Sequence, residues 1–128
     1  MVCANAQTEI TAKQFYSEFK KNEIGADFKY EGKILIITGE ILSIDKTDVL
    51  GTVTLSITLV GETQCFDFLC INKLDLPGVY CKFPNSERGK IAQLSIGQFV
   101  SIKGQYNGTT LNIPELKNCS IYRTPQQI

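Results

Sequence analysis

The run GKILIITGEILS over residues 32–43 constrains the fold more than any other stretch of the chain. Its β-branched and aliphatic residues are too apolar for a surface loop, and Gly39 stands in their middle. A glycine inside a strand pattern marks a bulge or a sharp bend, because no side chain hinders the kink. A long strand bent in this way can take part in both sheets of a small closed barrel. The spacing Gly32-x6-Gly39 recurs as Gly97-x6-Gly104 in GQFVSIKGQY, so two bent strands are predicted.

Length and charge narrow the rest. A chain of 128 residues is one domain's worth and buries a core without metal or disulfide staples. Lys plus Arg equals Asp plus Glu, 13 each, for a formal net charge of zero. Grip on phosphate backbones without sequence preference comes from a basic excess that releases counterions, so the balance lowers the expectation for nucleic acid. There is no histidine. That removes the side chain most used for acid–base work near neutral pH and the commonest metal ligand, and makes an enzyme the lesser expectation. No cofactor is implied. No apolar run is long enough to span a bilayer.

Residues 1–10 read as a tail. Ala4-x-Ala6 has the small-residue pattern of a signal-peptidase site, without the basic and apolar regions that precede one. Cys3 is alternatively the remnant of a lipid-attachment cysteine, or residues 1–6 are a disordered start. The folded domain is expected over 11–122, with a polar tail at 123–128.

Within it, 11–23 reads as a helix. Thr11-x-x-Gln14 matches a capping box, and Ala12, Phe15, Tyr16 and Phe19 make one apolar stripe, with Gly25 ending the helix. Residues 26–31 are expected as a connector and 45–51 as a loop. TVTLSITLV at 52–60 alternates strictly, with Val53, Leu55, Ile57 and Leu59 on one face and Thr52, Thr54, Ser56 and Thr58 on the other. Residues 63–77 fit an extra hairpin or a short helix, and 78–83 is a strand with Val79, Cys81 and Phe83 inward and Tyr80 and Lys82 outward. Ser86 is read as capping a short helix through Ile91 to Leu94. The second bent strand covers 97–106, Asn107-Gly108 signals a hairpin, and 109–122 supplies a last strand interrupted near Pro114.

Strand–strand–strand–helix–strand–strand is the order of the OB-fold. The expected architecture is therefore mainly β: a five-stranded OB-fold Greek-key barrel with an N-terminal helix and a short helix between strands three and four. Another small barrel or a β-sandwich is the rival.

Several motifs run in this order: Ala26-x3-Tyr30-x-Gly32-Lys33, Cys81-x-Phe83, Leu94-x2-Gly97-x2-Val100-x-Ile102-x-Gly104 and Leu116-x2-Cys119-x-Ile121. Together they resemble the anticodon-binding-like (tRNA_anti-like) OB-fold family of bacterial proteins, many of them exported or lipid-anchored. The resemblance covers roughly 11–122, and 63–77 departs from it as an insertion. It implies an OB barrel and a periplasmic or envelope location, with the cytoplasm as the alternative. It implies neither tRNA binding nor catalytic residues.

Five cysteines stand at 3, 65, 70, 81 and 119. The third and fifth strands of an OB barrel are neighbours, so Cys81 and Cys119 approach each other, either as a disulfide or as buried thiols acting as small hydrophobes. Cys65 and Cys70 could close a small loop. No C-x2-C pair is present to suggest zinc.

A ligand on an OB barrel is expected on the outer face of strands two and three and the loops around them. The candidates there are Thr54, Ser56, Thr58, Tyr80 and Lys82, with Lys46 and Asn107 from the loops. Lys103 and Tyr106 lie on or beside the fourth strand. Hydroxyl groups neither stack on a base nor neutralise a phosphate, whereas they do hydrogen-bond a peptide or a sugar. Glu9, Glu31, Glu40, Asp45 and Asp48 are scattered and form no metal loop. The function expected is a non-enzymatic binding module for a protein or small polar ligand. The alternative is a single-stranded nucleic-acid binder. The partner and oligomeric state are open.

Overall fold

A computed structural model describes residues 8–61, 78–110 and 112–124. A short strand, β1 (Thr8–Thr11), leads into helices α1 (Ala12–Lys21) and α2 (Glu23–Tyr30). The remaining strands among the described residues are β2 (Ile34–Val49), β3 (Thr52–Val60), β4 (Gly78–Phe83), β5 (Phe99–Thr110) and β6 (Ile113–Arg123). A 3-10 turn (Asn85–Glu87) and the single-turn helix α3 (Arg88–Ile91) stand between β4 and β5.

The neighbour order β2-β3-β4-β6-β5, with β5 pairing back onto β2, closes the five-stranded OB barrel that the sequence predicts. β1 adds a sixth strand, parallel to β2, from the stretch read as a tail. The closure depends on β2. Its residues 34–40 pair with β5 and its residues 41–49 with β3, and the register shifts between Ile41 and Ser43 at the handover. The bulge therefore falls just after Gly39. Gly39 itself answers a packing demand: a Cβ there would stand 2.8 Å from the Cβ of Ala12, at the start of α1.

Helix α1 forms much as expected. Thr11 Oγ1 accepts the Gln14 N–H at 3.1 Å, and Ala12, Phe15 and Phe19 are buried. The chain does not then run on as a connector. Asn22 is extended, and its Oδ1 accepts the Gly25 N–H at 3.0 Å, capping a second helix in which Ala26 and Tyr30 are buried. Gly25 thus sits in the first turn of α2 instead of ending α1. Phe15, Phe19, Tyr30 and Tyr106 form one ring cluster, with Phe15 centred 5.0 Å from Phe19 and 4.9 Å from Tyr30. Tyr106 donates to Asp27 Oδ1 at 2.7 Å and belongs to the core, so it offers no platform for a base.

Four other expectations give way, most of them to turn chemistry. Residues 45–49 continue β2 as one arm of a hairpin, and the reversal is Leu50-Gly51, both with positive φ (51° and 84°). Two-residue turns of that kind match the twist of the strands they join. Asn107-Gly108 lies inside β5, where Gly108 (φ 94°) accompanies a register shift, and β5 turns into β6 further on, with Asn112 at φ 67°. Pro114 pairs opposite Thr109 as the second residue of β6 and interrupts nothing, being near the strand's start. Ser86 lies within the 3-10 turn, and no side chain caps that turn or α3. Residues 63–77, with Cys65 and Cys70, are outside the described residues, as is Cys3.

Candidate ligand-binding groove

Along β3 the inward residues Leu55, Ile57 and Leu59 are buried, as alternation predicts. The outward face departs from expectation: Ser56 and Thr58 are only 2% and 4% exposed. Their neighbours explain it. Strand register sets Ser43, Thr58, Tyr80 and Glu115 in one row across β2, β3, β4 and β6, and Asp45, Ser56 and Lys82 in the next. Tyr80 flanks Thr58 on one side, and Asp45 and Lys82 flank Ser56 on both, each larger than the hydroxyl it stands beside.

Thr58, Tyr80 and Glu115 of the first row and Asp45 and Lys82 of the second border a cavity of about 430 Å³ on the outside of the barrel. Asp45, Thr58, Tyr80 and Lys82 line it from the sheet, and Thr110, Ile113 and Glu115 from the β5–β6 hairpin. The size is that of a small-molecule or side-chain pocket. Its fixed point is Glu115, a buried carboxylate that Lys82 Nζ approaches at 3.2 Å. The same carboxylate accepts Asn107 Nδ2 at 3.1 Å and Thr110 Oγ1 at 3.0 Å. Three donors on one carboxylate replace the water that burial removes and tie the β5–β6 hairpin to β4. Among the described residues, Ser43 Oγ is buried in the same row with no hydrogen-bond partner.

The structure thus brings Thr58, Tyr80 and Lys82 into the groove, sets Ser56 in its second row and gives Asn107 the role of steadying Glu115. It does not bring Thr54 or Lys46 there. Thr54 pairs with Thr47, out along the β2–β3 hairpin and past the last β3–β4 pair at Leu55 and Phe83. Lys46 pairs with Leu55, so the pleat turns it to the opposite side from Asp45. Asp45, Thr110, Ile113 and Glu115 are lining residues that sequence reasoning missed. Glu115 carries the one legible signal, an acid set between Pro114 and Leu116 in an otherwise apolar strand start.

Cys81 and Cys119 are both buried in one core cluster, with their thiols free in this structure. Contact with the Cys119 thiol and burial push the Cys81 thiol well above the ordinary thiol range. Among the described residues, no group of three or more metal-ligating side chains gathers, and no helix is long and apolar enough to cross a membrane.

The sequence profile of the tRNA_anti-like family matches residues 2–121. No curated protein sequence matches. Seventeen solved chains do. One is a lipoprotein from Klebsiella pneumoniae subsp. pneumoniae MGH 78578, described provisionally as nucleic acid-binding. It is 24% identical with a TM-score of 0.66, over 90% of this chain and 92% of that one. Another is RecG bound to a three-way DNA junction, 13% identical with a TM-score of 0.55, over 91% of this chain but 13% of RecG. At these identities the likeness establishes the fold.

Proposed function

The chain belongs to the tRNA_anti-like family, and from that premise we propose that it is a non-enzymatic OB-type binding module whose groove over β3, β4 and β6 takes a polar ligand. The ligand is a segment of another protein or a small molecule. The observation that carries this reading is the engagement of Lys82. Among the described residues that line the groove it is the sole cation, and Glu115 holds it at 3.2 Å. Asp45 adds a second negative charge at the rim. A phosphate entering here would have to draw Lys82 from the buried Glu115 carboxylate, whose sole ion-pair partner among the described residues it is, and that is costly. A neutral or cationic ligand finds instead the hydroxyls of Thr58 and Thr110, the Tyr80 ring and the apolar side of Ile113. An envelope location accompanies the proposal, supported by the family resemblance and by the Klebsiella lipoprotein.

A second reading, binding of single-stranded nucleic acid, draws on that lipoprotein's description and on Tyr80 as a half-buried ring on the usual OB face. Anisotropy titrations at low salt separate the two. Against a fluorescent single-stranded oligonucleotide, no submicromolar binding is expected. Against arrays of short uncharged and basic peptides and of oligosaccharides, binders are expected whose affinity falls on the order of tenfold in Tyr80→Ala. Submicromolar, salt-sensitive oligonucleotide binding would overturn the proposal.

A further inference from the structure

We propose that Cys81 and Cys119 form a disulfide that fastens the barrel between β4 and β6, and that it is made while the chain folds. The inference is independent of what the groove binds. The two thiols are buried in one core cluster, and the Cys81 thiol senses that of Cys119. They stand on adjacent strands whose parallel ladder is short. Tyr80–Glu115 and Cys81–Leu116 are the register pairs joining β4 to β6 among the described residues, whereas β3 and β4 share six. Two local features aim and house the Cys119 sulfur. Asn118 takes a left-handed φ of 51° beside a register shift in the β5–β6 ladder, an irregularity that turns the following side chain. Gly104 lies opposite, and a Cβ there would stand 2.5 Å from Cys119 Sγ. The glycine leaves the space that the sulfur fills.

The timing follows from burial. The thiolate is the attacking species, and the closed core holds the Cys81 thiol protonated and away from any oxidant. Exchange therefore takes place on the open chain. One cysteine thiolate attacks an external disulfide, either a low-molecular-weight one such as oxidised glutathione or that of a thiol oxidoreductase, and expels one of its thiols. The second cysteine then displaces the other half of the mixed disulfide. Two thiol hydrogens and two electrons pass to the external disulfide, which leaves as two thiols. Closing so long a loop restricts the unfolded chain enough to raise the Tm by roughly 10 °C.

The test is to refold the full chain from its reduced, denatured state in mixed reduced and oxidised glutathione. The product is then alkylated without reduction, digested and weighed. The expected result is a peptide linking Cys81 to Cys119 in most molecules. A Tm about 10 °C above that of the chain refolded with reductant should accompany it. Protein already folded and reduced, placed in the same buffer, should stay unlinked for hours. Alkylated Cys81 and Cys119 after refolding, or their pairing with Cys3, Cys65 or Cys70, would overturn the proposal. So would a Tm difference that survives in the C81S/C119S double variant, since another pair would then be its source. Rapid linking of the folded protein would overturn its timing.

Discussion

Gly39→Ala is the perturbation that most sharply tests how the bent strand and the first helix fit together. The new Cβ would lie 2.8 Å from Ala12 Cβ, where ordinary contact begins at 3.4 Å. Ala12 is fully buried in the first turn of α1, so it cannot swing aside. Either α1 lifts from the sheet or β2 loses part of its bend, by at least about 0.6 Å, and overpacking of this kind costs about 2 kcal/mol. For a chain of this size the unfolding entropy is about 0.27 kcal/mol per degree, so the Tm should fall by roughly 7 °C. Ala12→Gly removes the colliding methyl at an intrinsic cost of up to about 1 kcal/mol. The double variant should then lose about 1 kcal/mol in total, leaving a coupling of roughly 2 kcal/mol. Urea and thermal melts followed by circular dichroism measure all four corners of the cycle. A Gly39→Ala Tm within a degree of the parent, or strict additivity, would refute the packing argument.

Leu50 is 99% exposed with φ 51°, in the left-handed region where a leucine is strained and asparagine is tolerated. Leu50→Asn should raise stability by about 1 kcal/mol, some 4 °C in Tm by calorimetry. Tyr106→Phe deletes the 2.7 Å hydrogen bond to the Asp27 carboxylate and should cost about 2 kcal/mol in a denaturant titration. Burial, then the bond to Asp27, pushes the Tyr106 phenol far above the ordinary tyrosine range. The unfolded chain therefore releases that proton first. The stability it supports is complete below about pH 10 and declines as pH rises further. The alkaline loss should be shallower in Tyr106→Phe, and equal slopes would contradict this.

The barrel was legible because its driving residues advertise themselves: the strict alternation of 52–60, the paired glycine spacings and the apolar stripe of Phe15 and Phe19. What escaped depended on contacts distant in sequence or on turn chemistry with two readings. Gly25 looked like the end of one helix, yet the Asn22 side chain starts another that takes Gly25 into its first turn. Asn107-Gly108 looked like a turn, but a positive-φ glycine serves a bulge equally well. The groove was half legible. Alternation placed Thr58, Tyr80 and Lys82 on the face that carries the groove, but only the barrel's closure brings Glu115 beside Tyr80. Asp45 was hidden because the strand runs past the point where its polarity suggested a loop.

A titration of isotope-labelled protein, followed by two-dimensional amide NMR, tests the central claim most directly. The probes are peptide or saccharide binders found on the arrays and, separately, a single-stranded oligonucleotide. The account predicts that the array binders shift the amides of Thr58, Tyr80, Lys82 and Glu115 first and most. The oligonucleotide should leave those amides in place. Shifts confined to other faces of the barrel, or groove shifts produced by the oligonucleotide at low salt and reversed by added salt, would contradict it.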